Sequence, residues 1–527
     1  MTSREPIGRV VVVGGGTAGW LAACLIAARA GDVVPGGVAV TLVESPDVPT
    51  IGVGEGTWPT MRRTLERIGI DETDFLLACD ATFKQGSRFD GWRTGAPDDS
   101  YHHPFVPPAS GDPRAVVAAW QAQAGGRSFA DTVSAQPAIC MQGLAPRQRQ
   151  MPGYAGALNY AYHLDAGKFA TLLATYAVER LGVRRVRDHV VEVVRGDDGD
   201  IAAVETRTQG AIDGDLFIDC TGQAALLIGQ TLGSGFVDRS GDLPNDRALA
   251  VQLPVAPDSP IATQTIATAH PAGWFWDIGL PTRRGIGCVY ASRYMDDATA
   301  EQTLAAYLAR VAPGTDMSTL PIRRLAFRSG HRERFWVRNC LAIGLSAGFL
   351  EPLEASAIVL VELSIEALLA NFPTSRAAMD VQSRRFDTLF RYRWDRIVEF
   401  LKLHYVLSVR DEPYWRDHRD PASMPDRLAD LLTIWRDQPP STFDLPQVDE
   451  VFPPASYQYV LYGMGWPAPP APVGTAQGMV DSLAQIRHRG RTLAAGLPTH
   501  RGYFDALRRD ANADRAHARV THSTGSY

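Results

Sequence analysis

The sequence predicts an α/β fold, and two observations near the N-terminus carry that prediction. The apolar run 10–13 is followed by the glycine-rich segment 14–19 and then by an alanine-rich stretch, 20–30, with helical character. A second apolar run, 38–43, ends at Glu44. This order of strand, tight turn, helix and strand is the βαβ unit of a parallel sheet, as found in Rossmann-like dinucleotide-binding folds.

The pattern Gly-x-Gly-x-x-Gly at the turn predicts a pyrophosphate-binding loop. Gly14 permits the tight turn, Gly16 lets the backbone approach the phosphates, and Gly19 allows close packing of the helix. The free N–H groups at the helix N-terminus would then face the phosphates. The residues expected to form this loop are Gly14, Gly16, Thr17, Ala18 and Gly19. Glu44 would accept a hydrogen bond from a ribose hydroxyl, which favours an adenosine without a 2′-phosphate.

The segment 215–222 indicates that the dinucleotide is FAD. It predicts a strand that ends in a small-residue turn far along the chain, which is how FAD-binding folds bring a second crossing of the chain close to the cofactor. No second dinucleotide fingerprint occurs in the sequence. A flavoprotein that also binds NAD(P)H would usually show one, so we expect the flavin to arrive already reduced.

The later elements predict a first domain rich in insertions and a helical C-terminal region. The expected elements are a helix at 169–180, strands at 183–194 and 201–207, and strands of a substrate-side sheet at 247–256 and 284–292. Residues 90–160 show little periodicity and predict a long, partly irregular excursion over the core. We therefore expect an FAD-binding domain over 1–360, with substrate-side insertions at about 85–165 and 245–335, and a mainly helical, substrate-covering region over 361–527.

Composition excludes several classes of protein. The 527 residues carry a net charge of −6, which argues against a general nucleic-acid binder. The six cysteines lie far apart, and the adjacent His102 and His103 have no third ligand at metal spacing, so no metal site is expected. No apolar run is long enough to span a membrane, and the N-terminus lacks the apolar core of a signal peptide. We expect a cytoplasmic protein with no membrane partner.

Five segments, taken in order, resemble the flavin-dependent tryptophan halogenases across residues 10 to 465. They are the loop 14–20, the glycine-rich segment IGVGEGTWP at 51–59, FKQG at 83–86, GWFWDI at 273–278 and GFLEPLE at 348–354. The second is similar to the family's flavin loop, and the fourth to the W-x-W-x-I-P element that separates halogenases from related flavin monooxygenases. The order and the separations make the resemblance strong.

The resemblance implies a reaction in two stages. Reduced FAD, dioxygen and a halide (chloride or bromide) give hypohalous acid, which travels through an internal tunnel to an electron-rich aromatic substrate. Lys84 and Glu354 match the family's catalytic lysine and glutamate. Lys84 would either hydrogen-bond the hypohalous acid or be halogenated itself, and the sequence leaves both open. Glu354 would stabilise the charged ring and accept its proton, with Glu351 ranked below it.

The same resemblance implies the surroundings of these two residues. Further flavin contacts are expected from Gly54, Glu55, Gly56, Thr57 and Gly344. The halide would lie against backbone N–H groups near Ser356 and Ala357, where a helix is expected to begin. Trp274 and Trp276, two residues apart on a strand, would point the same way and wall the flavin side from the substrate.

The sequence indicates the class of the substrate and leaves its identity open. His103 and Phe105 resemble the family segment that stacks on the substrate ring. Gly279 stands where the W-x-W-x-I-P element has proline, and no clamp for an amino acid's charged groups is evident. An indole or a tryptophan derivative is the expected substrate, and a separate NAD(P)H-dependent flavin reductase is expected as partner. The alternative is an FAD-dependent aromatic hydroxylase; a homodimer is left open.

Overall fold

The computed structural model describes residues 7–32, 34, 37–48, 55–123, 126–316, 319–470 and 477–523, with the backbone alone at 477 and 514–523. Within this part of the chain, two large sheets and three small ones form the β structure, and helices cover them. Within these residues, no helix is both long and apolar enough to cross a membrane.

The first large sheet is the predicted parallel one. Its six strands, in spatial order, are Trp336–Val337, Cys340–Ala342, Leu216–Asp219, Arg9–Val13, Ala39–Glu44 and Arg184–Arg187. Neighbouring strands are parallel, except that the edge strand Trp336–Val337 is antiparallel to Cys340–Ala342. The helix Thr17–Arg29 follows the first strand in the chain and contacts the helices Ala166–Arg180 and Ser356–Ala370. The predicted βαβ unit and the predicted strand before residue 220 are both present.

The second large sheet has seven strands. In spatial order they are Arg323–Ala326, Arg247–Pro254, Arg283–Tyr290, Gly273–Gly279, Thr265–His270, Gly86–Asp90 and Ser100–Pro104. Its pairs are antiparallel apart from Thr265–His270 with Gly86–Asp90. The strands predicted at 247–256 and 284–292 are thus neighbours in this sheet.

Three small sheets complete the β structure. The first contains Gly210–Asp213, Ile201–Thr206 and Val190–Arg195, and the second contains Phe236–Asp238, Gly330–Arg332 and Gly348–Phe349. The third contains Glu55–Gly56, Ala161–Leu164 and Thr82–Lys84. This third sheet holds Lys84 beside the expected flavin loop.

The remaining helices fall into two groups along the chain. Before residue 356 they are Thr60–Ile68, Glu72–Ala78, Pro113–Gln121, Phe129–Val133, Gln136–Met141, the π-helix Leu226–Thr231 and Asp297–Val311. After Ser356–Ala370 come Arg376–Val406, Pro413–Asp417, Asp426–Ile434, Pro454–Gly463, Gln477–Gly496 and His500–Ser523.

One prediction of secondary structure needs correction. The single strand expected at 183–194 is two strands in different sheets, because Asp188 makes a turn between them. Its carboxylate accepts the backbone N–H groups of His189, Thr208 and Gln209 at 2.6–2.9 Å. The partly irregular excursion predicted at 90–160 contains a strand and three short helices between its irregular segments. Short elements of this kind carry too few turns to show a clear period in sequence.

Candidate active site

One cavity of about 740 Å³ joins the glycine-rich loop to Lys84 and Glu354. This volume lies in the range of about 300–1,000 Å³ that is typical of ligand pockets. Of the residues predicted to bind cofactor or halide, those that line it are Gly14, Gly16, Thr17, Ala18, Glu44, Glu55, Gly56, Gly344, Ser356 and Ala357. Trp274 and Trp276 line it as well. Gly54 lies outside the described residues.

The glycine-rich loop packs too closely for side chains. Gly14 has φ +119°, and a Cβ there would lie 2.1 Å from the carbonyl oxygen of Cys220. A Cβ at Gly19 would lie 1.9 Å from the carbonyl oxygen of Gly14. At Gly16, by contrast, a Cβ would meet nothing within 4 Å, so this residue borders open space. The loop therefore leaves room over Gly16 while the strand and helix stay in contact.

The helix Thr17–Arg29 begins without a side-chain cap. Its first N–H groups have no acceptor within the helix, and they lie where Gly16, Thr17 and Ala18 line the cavity. Uncapped N–H groups beside open space suit a pyrophosphate. Gly344, with φ +74°, approaches this helix so closely that a Cβ there would lie 2.7 Å from the Cβ of Ala18.

Two acids, the buried Asp219 and the partly buried Glu44, shape the nucleotide end of the cavity. Asp219, at the end of its strand, accepts backbone N–H groups from Thr221, Leu227 and Ile228 at 2.8–2.9 Å, which holds the turn after Cys220 against the glycine-rich loop. Glu44 accepts hydrogen bonds from Trp20 Nε1 at 3.2 Å and from Arg185 Nε at 2.7 Å. Its carboxylate is thus held in place at the cavity wall by these two donors.

Lys84 lies inside the protein at the end of the strand Thr82–Lys84, with 1% of its surface exposed. Its Nζ lies 5.5 Å from the centre of the Phe105 ring, and a Cβ at Gly56 would come within 3.1 Å of it. No group in the described part of the chain hydrogen-bonds to this ammonium. Burial lowers the pKa of Lys84 to about 8, although the negative charge of Glu354 acts to raise it. Its donors are therefore available to a molecule in the cavity.

Glu354 lies just before the helix Ser356–Ala370, in the left-handed region with φ 62°. Its Oε1 lies 2.8 Å from His103 Nδ1 and 3.2 Å from His404 Nε2. Trp58 Nε1 donates to its backbone oxygen at 2.8 Å. Burial alone would raise the pKa of Glu354, but the two histidines hold it well below its usual range. The carboxylate therefore faces two imidazole rings and does not cap the helix.

The helix Ser356–Ala370 begins at the cavity. Its N-terminal flanking residue, Ala355, has φ 55° and ψ 45°, and no side chain caps the helix. Ser356 and Ala357 both line the cavity. An uncapped N-terminus of a 15-residue helix offers free N–H groups to an anion.

Trp274 and Trp276 lie on the strand Gly273–Gly279, with ring centroids 6.5 Å apart. Gly287 on the neighbouring strand leaves the space that the Trp276 ring fills, because a Cβ there would lie 2.0 Å from that ring. Trp274 Nε1 donates to Glu351 Oε2 at 3.2 Å. Glu351 is therefore a partner of Trp274, and burial raises its pKa.

Thr57, predicted to contact the flavin, and His103 and Phe105, predicted to contact the substrate, are not among the residues that line this cavity. Thr57 does not line the cavity, because its hydroxyl is buried and donates to the carbonyl oxygen of Tyr162 at 3.2 Å. The ring of His103 is buried, and its nitrogens face Glu354 and, at 2.9 Å, the Oγ of Ser456. Phe105 lies close to Lys84, with its ring centre 5.5 Å from Nζ.

No sequence motif indicated His404, whose ring has no exposed surface. It lies on the long helix Arg376–Val406, where a lone histidine on an apolar face has no distinguishing pattern. Its partner Glu354 is 50 residues away in the chain. The other contact of the His404 ring is local in sequence. Its Nδ1 lies 3.0 Å from the carbonyl oxygen of Phe400, one helical turn earlier.

Comparison with known proteins gives a consistent result. The family described as "Tryptophan halogenase" matches residues 9–478. Tryptophan 6-halogenase SttH of Streptomyces toxytricini is 34% identical over 96% of this chain and 99% of that protein. A solved structure of a tryptophan halogenase from Shewanella frigidimarina NCIMB 400 is 44% identical, covering 96% of this chain and 98% of that one, with TM-score 0.90. The solved structure of Tar14, a tryptophan C-6 flavin-dependent halogenase (chlorinase) from taromycin biosynthesis, is 35% identical, covering 95% and 100%, with TM-score 0.88.

Proposed function

This chain belongs to the tryptophan halogenase family, and from that premise we propose that it uses reduced FAD, dioxygen and a halide to place chlorine or bromine on an indole ring. The enzyme is a flavin-dependent halogenase. The observation that carries the residue-level proposal is the single cavity that reaches from the glycine-rich loop to Lys84 and Glu354.

FAD fits the residues at the nucleotide end of this cavity. The open space over Gly16 and the uncapped helix beside it would receive the pyrophosphate, and Glu44 lies where the second strand ends, as a ribose partner would. Gly344, Glu55 and Gly56 would contact the flavin half. When bound and reduced, FAD supplies the electrons with which dioxygen converts a halide to hypohalous acid.

The start of the helix Ser356–Ala370 is the proposed halide site. Its free N–H groups attract an anion without any basic side chain, and the walls there are largely apolar, which weakens competition by water. Trp274 and Trp276 restrict this end of the cavity, so that a substrate ring would not reach the flavin directly.

Lys84 is proposed to hold the hypohalous acid. At neutral pH most of the side chain is an ammonium, because its pKa is about 8. Its donors would hydrogen-bond the oxygen of the acid and draw electrons from the halogen, which makes the halogen more electrophilic. The nearby Phe105 ring would contact the aromatic substrate from the same side.

Glu354 is proposed as the general base. Attack of the ring on the halogen leaves a carbon that bears both the halogen and a proton, with positive charge on the ring. An ionised carboxylate stabilises that charge and then accepts the proton. We propose tryptophan or another indole as substrate, and a separate NAD(P)H-dependent reductase as the source of reduced FAD.

The test supplies the enzyme with reduced FAD, dioxygen, bromide and a panel of indoles, followed by mass spectrometry of the product. Lys84→Ala should abolish bromination and Glu354→Gln should slow it at least tenfold, about 1.4 kcal/mol in the barrier, with FAD binding kept. Lys168→Ala, at a half-exposed lysine paired with Asp80, is the matched control. Bromination by Lys84→Ala at the rate of the unaltered enzyme, or an oxygenated product formed without bromide, would contradict the proposal.

A further inference from the structure

The two ring nitrogens of His404 both face hydrogen-bond acceptors. Nδ1 lies 3.0 Å from the carbonyl oxygen of Phe400, which can only accept, so Nδ1 carries a proton. Nε2 lies 3.2 Å from Oε1 of Glu354. A neutral ring protonated at Nδ1 would point the lone pair of Nε2 at a carboxylate oxygen, which is repulsive. The contact therefore requires one additional proton between His404 and Glu354.

That proton belongs on the ring. A histidine is ordinarily more basic than a glutamate by about two pKa units, so a shared proton favours the imidazole. Glu354 also faces a second ring N–H from His103 and the nearby charge of Lys84, and both favour an ionised carboxylate. Apart from these groups, the titratable side chain that faces His404 is Tyr101, with ring centroids 6.4 Å apart.

The surroundings of the ring suit a cation. Phe89 and Phe400 lie with ring centroids 5.0 and 5.1 Å from that of His404, and Trp92 lies at 6.0 Å. Electron-rich aromatic rings at this range help to stabilise a buried positive charge. His103 differs, because its second nitrogen faces the hydroxyl of Ser456, which can donate or accept and so demands no extra proton.

We propose that His404 is an imidazolium in the resting enzyme and is a positioning residue for Glu354. It holds Oε1 together with His103 and leaves the other carboxylate oxygen to act on the substrate. In the step it supports, the C–H bond of the halogenated ring carbon breaks, its electron pair restores the aromatic ring, and the proton forms an O–H bond on that oxygen. This inference rests on the proposed role of Glu354 as base.

The first test reads the protonation state directly. The full-length protein is labelled with ¹⁵N at its histidine rings, and spectra are recorded at pH 8.5, where an ordinary histidine is neutral. The signals that disappear in His404→Gln should show two protonated nitrogens. His418 is the internal control, because its buried Nδ1 lies 3.1 Å from Lys402 Nζ and burial holds the pKa of His418 well below its usual range, so its ring is neutral. One unprotonated nitrogen in the His404 signals would overturn the proposal.

The second test reads the effect on the base. In His404→Gln a neutral amide replaces the cation, so Glu354 should take up a proton at higher pH and kcat at pH 6 should fall about tenfold relative to pH 8. KM for the indole should change by less than about twofold. His418→Gln, at a ring that is also buried and lies beyond the end of the helix Arg376–Val406, should keep the pH profile of the unaltered enzyme. An unchanged profile in His404→Gln would refute the positioning role.

A third variant separates this inference from the proposed function. Glu354→Gln removes the negative charge that the imidazolium needs, so the His404 signals should become those of a neutral ring, whether or not His404→Gln folds. Persistence of the doubly protonated signals in Glu354→Gln would overturn the pairing. Normal turnover by Glu354→Gln would instead remove Glu354 as the base, while the ¹⁵N spectrum of the unaltered enzyme would still report on His404.

Discussion

At the scale of single residues, the surroundings shift the pKa values of Lys84 and Glu354 in the directions that their proposed roles require. Burial lowers the pKa of Lys84 to about 8, whereas His103 and His404 hold the pKa of Glu354 well below its usual range. The motifs predicted both Lys84 and Glu354, since each lies in a short recognisable segment. They could not predict His404, because its contact with Glu354 exists only after the long helix has packed against the start of another.

Lys84 carries a cost in stability that its removal should reveal. In the folded protein its pKa is about 8, below the value of 10.5 for an ordinary lysine. Below pH 8, burial of the charged ammonium therefore lowers the free energy of unfolding by its full amount. Lys84→Met should therefore raise the free energy of unfolding at pH 7 by about 2–3 kcal/mol. Between pH 8 and 10.5 the unfolded chain binds more protons than the folded one, so the gain should shrink as pH rises.

Chemical denaturation at pH 7 and pH 10 measures this effect. Lys168→Met, at the half-exposed lysine beside Asp80, should give no gain at either pH. A Lys84→Met protein that is no more stable than the unaltered one at pH 7 would show that the buried ammonium is already compensated.

At the scale of elements, the glycine-rich loop illustrates what a motif can determine. The tight approaches at Gly14 and Gly19 and the open space at Gly16 agree with the three roles predicted from their spacing. Strand 183–194 was predicted wrongly because the turn at Asp188 is held by backbone groups of residues 208 and 209, which no local pattern reveals.

Gly16→Ala should weaken FAD binding without loss of stability. Its φ of −76° is allowed for alanine, and the new methyl group meets no protein atom, but it would occupy space needed by the phosphates. We expect the Kd for FAD to rise at least tenfold, measured by flavin fluorescence, with an unchanged melting temperature. Gly241→Ala, also in open space but away from the cavity, is the control. Unchanged FAD affinity in Gly16→Ala would place the phosphates elsewhere.

At the scale of the whole molecule, the C-terminal part of the chain supports the strand that carries Lys84. His500, at the start of the helix His500–Ser523, accepts the backbone N–H of Phe83 through Nε2 at 3.2 Å and donates through Nδ1 to the carbonyl oxygen of Ile261 at 3.2 Å. Tyr503 and Phe504 pack against the Phe83 ring, with centroids 4.9 and 5.1 Å apart.

His500→Ala should therefore lower halogenation from a distance. It leaves the buried N–H of Phe83 without its acceptor, a loss of about 1–3 kcal/mol, and frees the strand that positions Lys84. We expect kcat to fall several-fold while the Kd for FAD stays the same. His500→Gln, which restores an acceptor oxygen, should recover part of the loss. If His500→Ala turns over like the unaltered enzyme, the strand is held well enough by its sheet partners.

The sequence by itself determined the α/β class, the dinucleotide loop and the two residues expected to do the chemistry, because each depends on residues adjacent in the chain. Only the tertiary structure decided which groups meet. It brings segments near residues 16, 84 and 354 to one cavity, and it places the ring nitrogens of His103 against Glu354 and Ser456. It also supplies His404. Contacts between distant segments follow from the packing of whole elements, and no spacing within one segment encodes them.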